Sequence, residues 1–502
     1  ARMLASIFCR AGYSGLVMTA KSEEISTWLD YAKQHGREQS VIVFDKQRHF
    51  NFLQYEFARK GADAANSVTD ILMKILKMAD IAAGQGQGKE GDAIWIKTTR
   101  EMILNTITVL YSALGTVRIE SIVEFILAMP TAPPSTEEAK AKLVSNYALD
   151  RLNRCKKNPV HPLPEHTLKR VRNYWFKQFI AMPEKMRGSI VTSVCAELNR
   201  FSDGILREQF CTTTDIVPEM VFNGAIIIMG FPVLTYNEEG IIAQQLFKLM
   251  FQRAVESRGG LAKQFQDRPL FLFADESHYF LSENDDLFLS TCRSSKCAVV
   301  YLTQSLPTYF AQLGQAHENR VLGLIGKFGN HVFHTSVCSK SNKFASEMIG
   351  RGIHLRRNSG ESKGNSTSRG RSSGTSNNNS YSYGGGVNSG NSGGTSGGFF
   401  TLLPSWNRGR SGGTSRNANH SGGSGSSSGY SETDGENESV SSGVQEQMDN
   451  LIEPNFFAQH LKSGGEPHNF EVTALWLKAG GNFKQPMPGA SNNVVLATFK
   501  QR

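Results

Sequence analysis

The stretch of this chain best equipped for chemistry is Pro269-Leu-Phe-Leu-Phe-Ala-Asp-Glu-Ser-His278. Its five apolar residues, Leu270 to Ala274, run without alternation into two adjacent carboxylates, Asp275 and Glu276. An unbroken apolar run of that length reads as a strand buried on both faces, as in a parallel sheet covered by helices. In open α/β sheets ligands sit at the carboxyl ends of the strands. An apolar strand that delivers Asp-Glu there has the layout of a Walker B element. Asp275 would hold Mg²⁺, directly or through water, and Glu276 would polarise the water that attacks a γ-phosphate. The alternative for the same residues is a core strand followed by an acidic turn.

A second group supports the first. Gln304 follows the apolar run Ala298 to Thr303, so a strand adjacent and parallel to 270–274 would bring Gln304 to the same edge as the two acids. A Gln there can hydrogen-bond a γ-phosphate or the attacking water. Arg293, in Ser290-Thr-Cys-Arg-Ser-Ser-Lys-Cys297, ends a helical stretch and can reach a phosphate on a neighbouring subunit. Taken singly, Gln304 also reads as a strand-end cap, and Arg293 as a favourable charge at a helix C-terminus. The turn at Asn330 and His331 supplies a third set of polar groups. A phosphate-binding loop is not visible. Gly84-Gln-Gly-Gln-Gly-Lys89 has Ala83 and Glu90 where G-x-x-x-x-G-K-[ST] needs Gly and Ser or Thr, and Gly326-Lys327 is followed by Phe328. Residues 84–91 read as a linker.

The elements that must position these groups alternate in the manner of βαβ units. Residues 1–10 are helical in pattern, 14–19 and 40–44 read as strands, and a helix over 24–35 is closed by Gly36. Residues 1–91 therefore form the first part of an α/β domain. From 92 to 210 only helical periodicity is found, with Ser135 and Glu138 as a capping box, so this block is an inserted all-helical domain. Residues 211–355 return to α/β, with strands expected within 221–234, 270–274, 298–303 and 329–335 and a strong helix over 241–257. Residues 356–443 are a Gly/Ser/Asn tract that cannot bury enough apolar surface to order itself, and it reads as a disordered loop. Phe399 to Leu403 and Trp406 are its apolar exceptions. Residues 444–502 are expected to complete the sheet with strands over 470–477 and 494–499.

Composition sets outer limits. The 502 residues suit two or three domains, and the net charge of +9 suits an acidic partner. Seven cysteines with no C-x-x-C argue against a disulfide framework or a zinc ribbon. Residues 151–187 carry ten Lys or Arg against two acids, with Tyr174, Trp175 and Phe176 interleaved. Such a stretch can track a phosphate backbone and stack bases, which marks Lys169, Arg170, Arg172 and Trp175 as candidate DNA or cargo contacts. The alternative is a solvated helical face with Trp175 and Phe179 in the core.

Together these pieces resemble the type IV secretion coupling proteins, the conjugative DNA-transfer ATPases of the FtsK/HerA branch of RecA-like motors. Phe271-Leu-Phe-Ala-Asp-Glu276 looks like the family's Walker B, and Arg293 through Gln304 like its segment of arginine finger and sensor glutamine. Lys340-Ser-Asn-Lys-Phe-Ala-Ser-Glu-Met-Ile-Gly350 is similar to the helix and Gly stop that follow. Ala20-Lys21-Ser22-Glu23 stands where the family has Asp-Pro-Lys-Gly-Glu, although the Asp is replaced by Thr19, and Ser295 stands near the family's Gly. The likeness covers residues 1–350 and about the last fifty.

The resemblance implies an α/β fold with a RecA-like P-loop NTPase sheet and an inserted helical domain. It implies ATP and Mg²⁺ as cofactors, with Asp275 as metal ligand, Glu276 as general base, Gln304 as sensor and Arg293 as a finger acting in trans. The expected partners are single-stranded DNA, a relaxase, a type IV secretion channel and further copies in a homo-hexamer. The expected location is the cytoplasmic face of a bacterial inner membrane. The missing Walker A loop and membrane segment are expected to precede Ala1, which would leave these 502 residues poor at hydrolysis by themselves. Two other functions fit the same residues: a related secretion or HerA-like translocating motor, and a non-catalytic cargo-docking adaptor.

Overall fold

The computed structural model describes residues 2–82, 92–132, 145–313, 318–373, 428–488 and 490–501. The linker expected at 84–91, the capping box at Ser135 and Glu138, and the apolar groups at 399–406 lie outside them. The chain divides into two compact units, Ala1–His331 and Val332–Arg502.

The first unit is built on a five-stranded parallel sheet. Its strands are β1 (Ser14–Met18), β2 (Val41–Phe44), β3 (Ile226–Met229), β4 (Leu270–Ala274) and β5 (Cys297–Tyr301), in the order β2-β3-β1-β4-β5. The register sets Met18 beside Ala274 and Ala274 beside Tyr301, so the carboxyl ends of β1, β4 and β5 are level. Every residue of β1, β3 and β4 is buried, as an apolar run without alternation requires. Phe271 and Phe273 face one side, where Phe8 of α1 (Arg2–Arg10) and Trp28 of α2 (Glu23–Gln34) stack on Phe271 at 5.0 and 5.5 Å. Leu270, Leu272 and Ala274 face the other, against the larger core. Gly36 closes α2 at φ 67°, a conformation in which a side chain would be strained.

Helices α3 (Phe52–Lys60) and α4 (Ala64–Ala82) lead into the helical block. Its described part holds α5 (Asp92–Leu114), α6 (Ile119–Ala128), α7 (Tyr147–Lys157), α8 (Glu165–Asn173), α9 (Glu184–Asn199) and α10 (Gly204–Phe210), with no strand among the described residues. The chain then returns to the sheet through β3 and the long helix α11 (Val233–Ser257). Among the described residues no single helix is long and apolar enough to cross a membrane.

Beneath the carboxyl edge lies a buried ion pair. Lys248 on α11 and Asp285 on α12 (Glu283–Thr291) have no exposed surface and meet at 2.6 Å. Asp285 also accepts bonds from Ser282 N (2.7 Å), Ser282 Oγ (3.1 Å), Gln252 Nε2 (2.7 Å) and the Tyr301 hydroxyl (2.6 Å). Lys248 donates in addition to the carbonyl of Phe280.

The C-terminal strands depart from expectation. β9 (Glu471–Lys478) and β10 (Val494–Lys500) form an antiparallel pair. With β6 (Asn330–Phe333) they make a separate three-stranded sheet in the order β10-β9-β6 and do not complete the five-stranded one. Burial alternates along β10, the pattern of a sheet with one wet face, which a doubly covered parallel sheet does not offer. Asn330 and His331 therefore begin a strand of this second sheet and do not join the acids.

The tract assigned to a disordered loop also differs at its flanks. β7 (Arg351–Ser373) and β8 (Ser428–Asn450) pair antiparallel over their whole length, from Arg351 opposite Asn450 to Ser373 opposite Ser428. Composition rules out a buried core, but a two-stranded ladder is held by backbone bonds and needs none.

Removing one partner of a buried ion pair strands the other charge. Asp285→Ala should cost roughly 3–5 kcal/mol of unfolding free energy in urea denaturation, whereas a surface ion-pair deletion such as Glu165→Ala should cost about 1 kcal/mol or less.

Candidate functional site

The five-residue apolar strand β4 ends by releasing Asp275 and Glu276 at the carboxyl edge, and β5 beside it releases Gln304. The two groups meet: Gln304 Nε2 donates to Glu276 Oε1 at 2.6 Å. The residues that follow are fixed on both sides. Ser277 N and Oγ both donate to the carbonyl of Leu302 at 2.8 Å, and Ser277 Oγ lies 2.5 Å from the Tyr309 hydroxyl on α13 (Leu306–Leu313). Leu302 N in turn donates to the carbonyl of Ala274 at 3.0 Å. The turn that follows the acids is thus laced to the ends of β4 and β5.

Glu276 adopts φ 47°, ψ 47°, the left-handed region that costs a side-chain-bearing residue about 1–2 kcal/mol. Strain of this kind persists where the surroundings over-determine it and clusters at functional sites. Its second oxygen, Oε2, is buried without a hydrogen-bond partner. It lies 3.6 Å from Nδ1 of His278, which is also buried without a partner. The imidazole packs on Tyr279, with ring centroids 4.2 Å apart, and burial holds its pKa below the ordinary histidine value while Glu276 opposes that.

Two further residues set this edge of the sheet. Gln244 on α11 is fully buried: its Oε1 accepts from Thr19 N at 2.9 Å, and its Nε2 donates to the carbonyls of Thr19 (2.8 Å) and Phe231 (2.7 Å). One amide thus joins the end of β1 to the turn after β3. Glu24, in the first turn of α2, accepts from Ala20 N at 2.9 Å. Burial pushes its pKa up to about 7, the Ala20 bond opposes this, and the Asp275 charge adds to it. Neither residue was singled out in the sequence. An acid just after a strand end was a usable signal for Glu24; nothing local marks Gln244.

Asp275 is half-buried, and its Oδ1 accepts the backbone N–H of Glu276 at 3.0 Å. No group of three or more His, Cys, Asp or Glu that could hold a metal occurs among the described residues. One carboxylate suits Mg²⁺, which keeps several waters and takes its remaining ligands from substrate phosphates. The Gly326-Lys327 pair forms no phosphate loop, since it follows α14 (Glu318–Ile325) and Lys327 Nζ bonds Asp286 at 2.5 Å.

Arg293 is not brought to this edge. It is exposed in the turn before β5, whereas Gln304 lies past the other end of that strand. Five residues of strand separate the two ends by roughly 16 Å. In the helical block, Lys169, Arg170 and Arg172 are exposed on α8, with Lys169 paired to Glu165 at 2.7 Å. Trp175, expected beside them as a base-stacking ring, is instead fully buried. A π-helical turn over Tyr174–Gln178 carries it inward against Phe125 at 5.3 Å and Phe179 at 5.0 Å. The aromatic left in solvent there is Phe176.

No family model matches the sequence, and no curated protein matches it. Solved structures do resemble the chain. The bacterial conjugative coupling protein TrwBdeltaN70, in its unbound monoclinic form, is 10% identical at a TM-score of 0.47, over 98% of this chain and 85% of that one. The plasmid coupling protein TrwB in complex with ADP and Mg²⁺ is 11% identical at a TM-score of 0.41, over 69% and 76%. TrwB with the non-hydrolysable GTP analogue GDPNP gives 11% and 0.40 over the same shares.

Folding raises the pKa of Glu24, so the native state keeps a proton that the unfolded chain releases near 4.5. The stability this contributes is complete below that value and is lost as pH rises through about 7. The Glu24 contribution to the unfolding free energy should therefore fall between about pH 4.5 and pH 7, and Glu24→Gln should remove it from the wild-type pH profile. An unchanged slope in the variant would place the titrating group elsewhere.

Proposed function

We propose that this chain is the motor part of a coupling protein, which uses ATP and Mg²⁺ to deliver DNA or a relaxase–DNA complex to a type IV secretion channel. One observation carries the reading: Glu276 and Gln304, from adjacent parallel strands, are hydrogen-bonded at 2.6 Å beside Asp275 at the carboxyl edge of the sheet. A core strand with an incidental acidic turn does not call for a strained Glu276 held by the next strand's amide.

The roles follow from position. Asp275 would hold Mg²⁺, which supplies positive charge to the phosphates when bound. Glu276 orients and polarises water, and Gln304 links it to the γ-phosphate position. Arg293 sits at the amino end of β5, so it serves a neighbouring copy in a homo-hexameric ring rather than its own cleft. The exposed Lys169, Arg170 and Arg172 of the helical block meet single-stranded DNA or the relaxase. The ring works at the cytoplasmic face of a bacterial inner membrane.

In the full gene product, Arg293→Ala should lower ATP turnover by ~10³–10⁵ while leaving nucleotide affinity nearly unchanged. Steady-state kinetics with a binding titration separates the two, and loss of both together contradicts a finger acting in trans. Changing Lys169, Arg170 and Arg172 to Glu should weaken binding of labelled single-stranded DNA and flatten its salt dependence, because phosphate contacts release counterions. Equal binding by the variant at low salt removes the helical block from DNA recognition.

A further inference from the structure

Glu276 is gripped on one oxygen only. Gln304 Nε2 holds Oε1, while Oε2 is buried and partnerless. Nδ1 of His278, equally buried and partnerless, stands 3.6 Å away. A buried polar atom left unbonded costs about 1–3 kcal/mol, and here two such atoms face each other. Little freedom remains around them. The backbone of Ser277 is tied to β5 through the Leu302 carbonyl, the imidazole packs on Tyr279, and the left-handed turn at Glu276 aims its side chain toward the ring. Catalytic hydrogen bonds are often long before the substrate arrives and shorten when it binds.

We infer that His278 is a positioning residue for Glu276: its Nδ1–H donates to Oε2 and, with Gln304 on Oε1, fixes the plane of the carboxylate. The inference rests on the proposed hydrolytic role of Glu276. Burial favours the uncharged ring, so His278 supplies a directed bond without neutralising the carboxylate it orients. Neutral imidazole carries a single N–H, and this geometry requires it on Nδ1. The opposite tautomer would set a nitrogen lone pair against a carboxylate oxygen.

Two measurements test this. In the 502-residue chain labelled with ¹⁵N in its imidazoles, the His278 signals are identified by their loss in His278→Asn. Long-range proton–nitrogen correlations should show the proton on Nδ1, and a proton on Nε2 overturns the inference. In the full gene product, His278→Phe keeps a ring against Tyr279 but has no donor. Its kcat for ATP should fall on the order of 10²-fold with KM little changed. His278→Asn, whose amide N–H takes the place of Nδ1, should recover most of that loss. Wild-type kcat in His278→Phe, or an Asn variant as slow as the Phe variant, rejects the positioning role. Glu276→Gln serves as the control. If it leaves turnover intact, the hydrolytic reading of the site fails, and the tautomer still decides whether the histidine grips Glu276.

Discussion

The carboxyl group of Asp285 has no access to water, and the arrangement of the site depends on how its oxygens are satisfied. Its five donors come from four residues: Lys248 and Gln252 on α11, Ser282 at the mouth of α12 with two groups, and Tyr301 at the end of β5. An isolated buried carboxylate is costly, and so is a buried ammonium. Each is tolerable only while the others keep their positions. The segment from Ser277 to Asp285 is thereby held against β5, and the two acids that precede it cannot drift from Gln304. Burial lowers the pKa of Lys248 while Asp285 opposes the shift, and burial, together with the same carboxyl group, raises that of Tyr301.

The carboxyl edge is organised by the same logic on its other side. Gln244 uses three of its hydrogen-bonding positions to join Thr19 and Phe231, so the ends of β1 and β3 are set by a side chain from α11. Gly230 between them approaches β2 closely; a Cβ there would lie 2.8 Å from the Phe44 carbonyl oxygen. Glu24, with a pKa near 7, and Asp275 then share one edge, where burial and like charge both favour the protonated form of Glu24. One long helix thus ties both parts of the edge, through Gln244 toward β1 and through Lys248 toward Asp285.

In the helical block, charge and aromaticity separate. The interleaved basic and aromatic residues share a sequence stretch, but the helix turns Tyr174, Trp175 and Phe179 inward and leaves Lys169, Arg170 and Arg172 in water. Local composition does not distinguish a stacking platform from a core with a charged outer face. The π-helical turn, which adds a residue to the helical register, sets which aromatic is buried. The C-terminal strands teach a related point. Their apolar content marks them as strands, but alternating burial assigns them to a sheet of their own.

The amino-acid sequence by itself determined the α/β alternation and the buried strand that carries the two acids. A run such as Leu270 to Ala274 is stable only where both faces are covered, so the run dictates a buried parallel strand with its acids at the exit. The place of Gln304 beside them was legible for the same reason, since parallel neighbours end at one edge. Only the tertiary structure decided the rest: Gln244 across 225 residues from Thr19, Lys248 against Asp285, the partnerless facing atoms of Glu276 and His278, and the inward turn of Trp175. Periodicity records how much of a residue is buried, because burial repeats with the backbone. It holds no record of which distant residue satisfies a buried polar atom, because that depends on which faces meet when the layers pack.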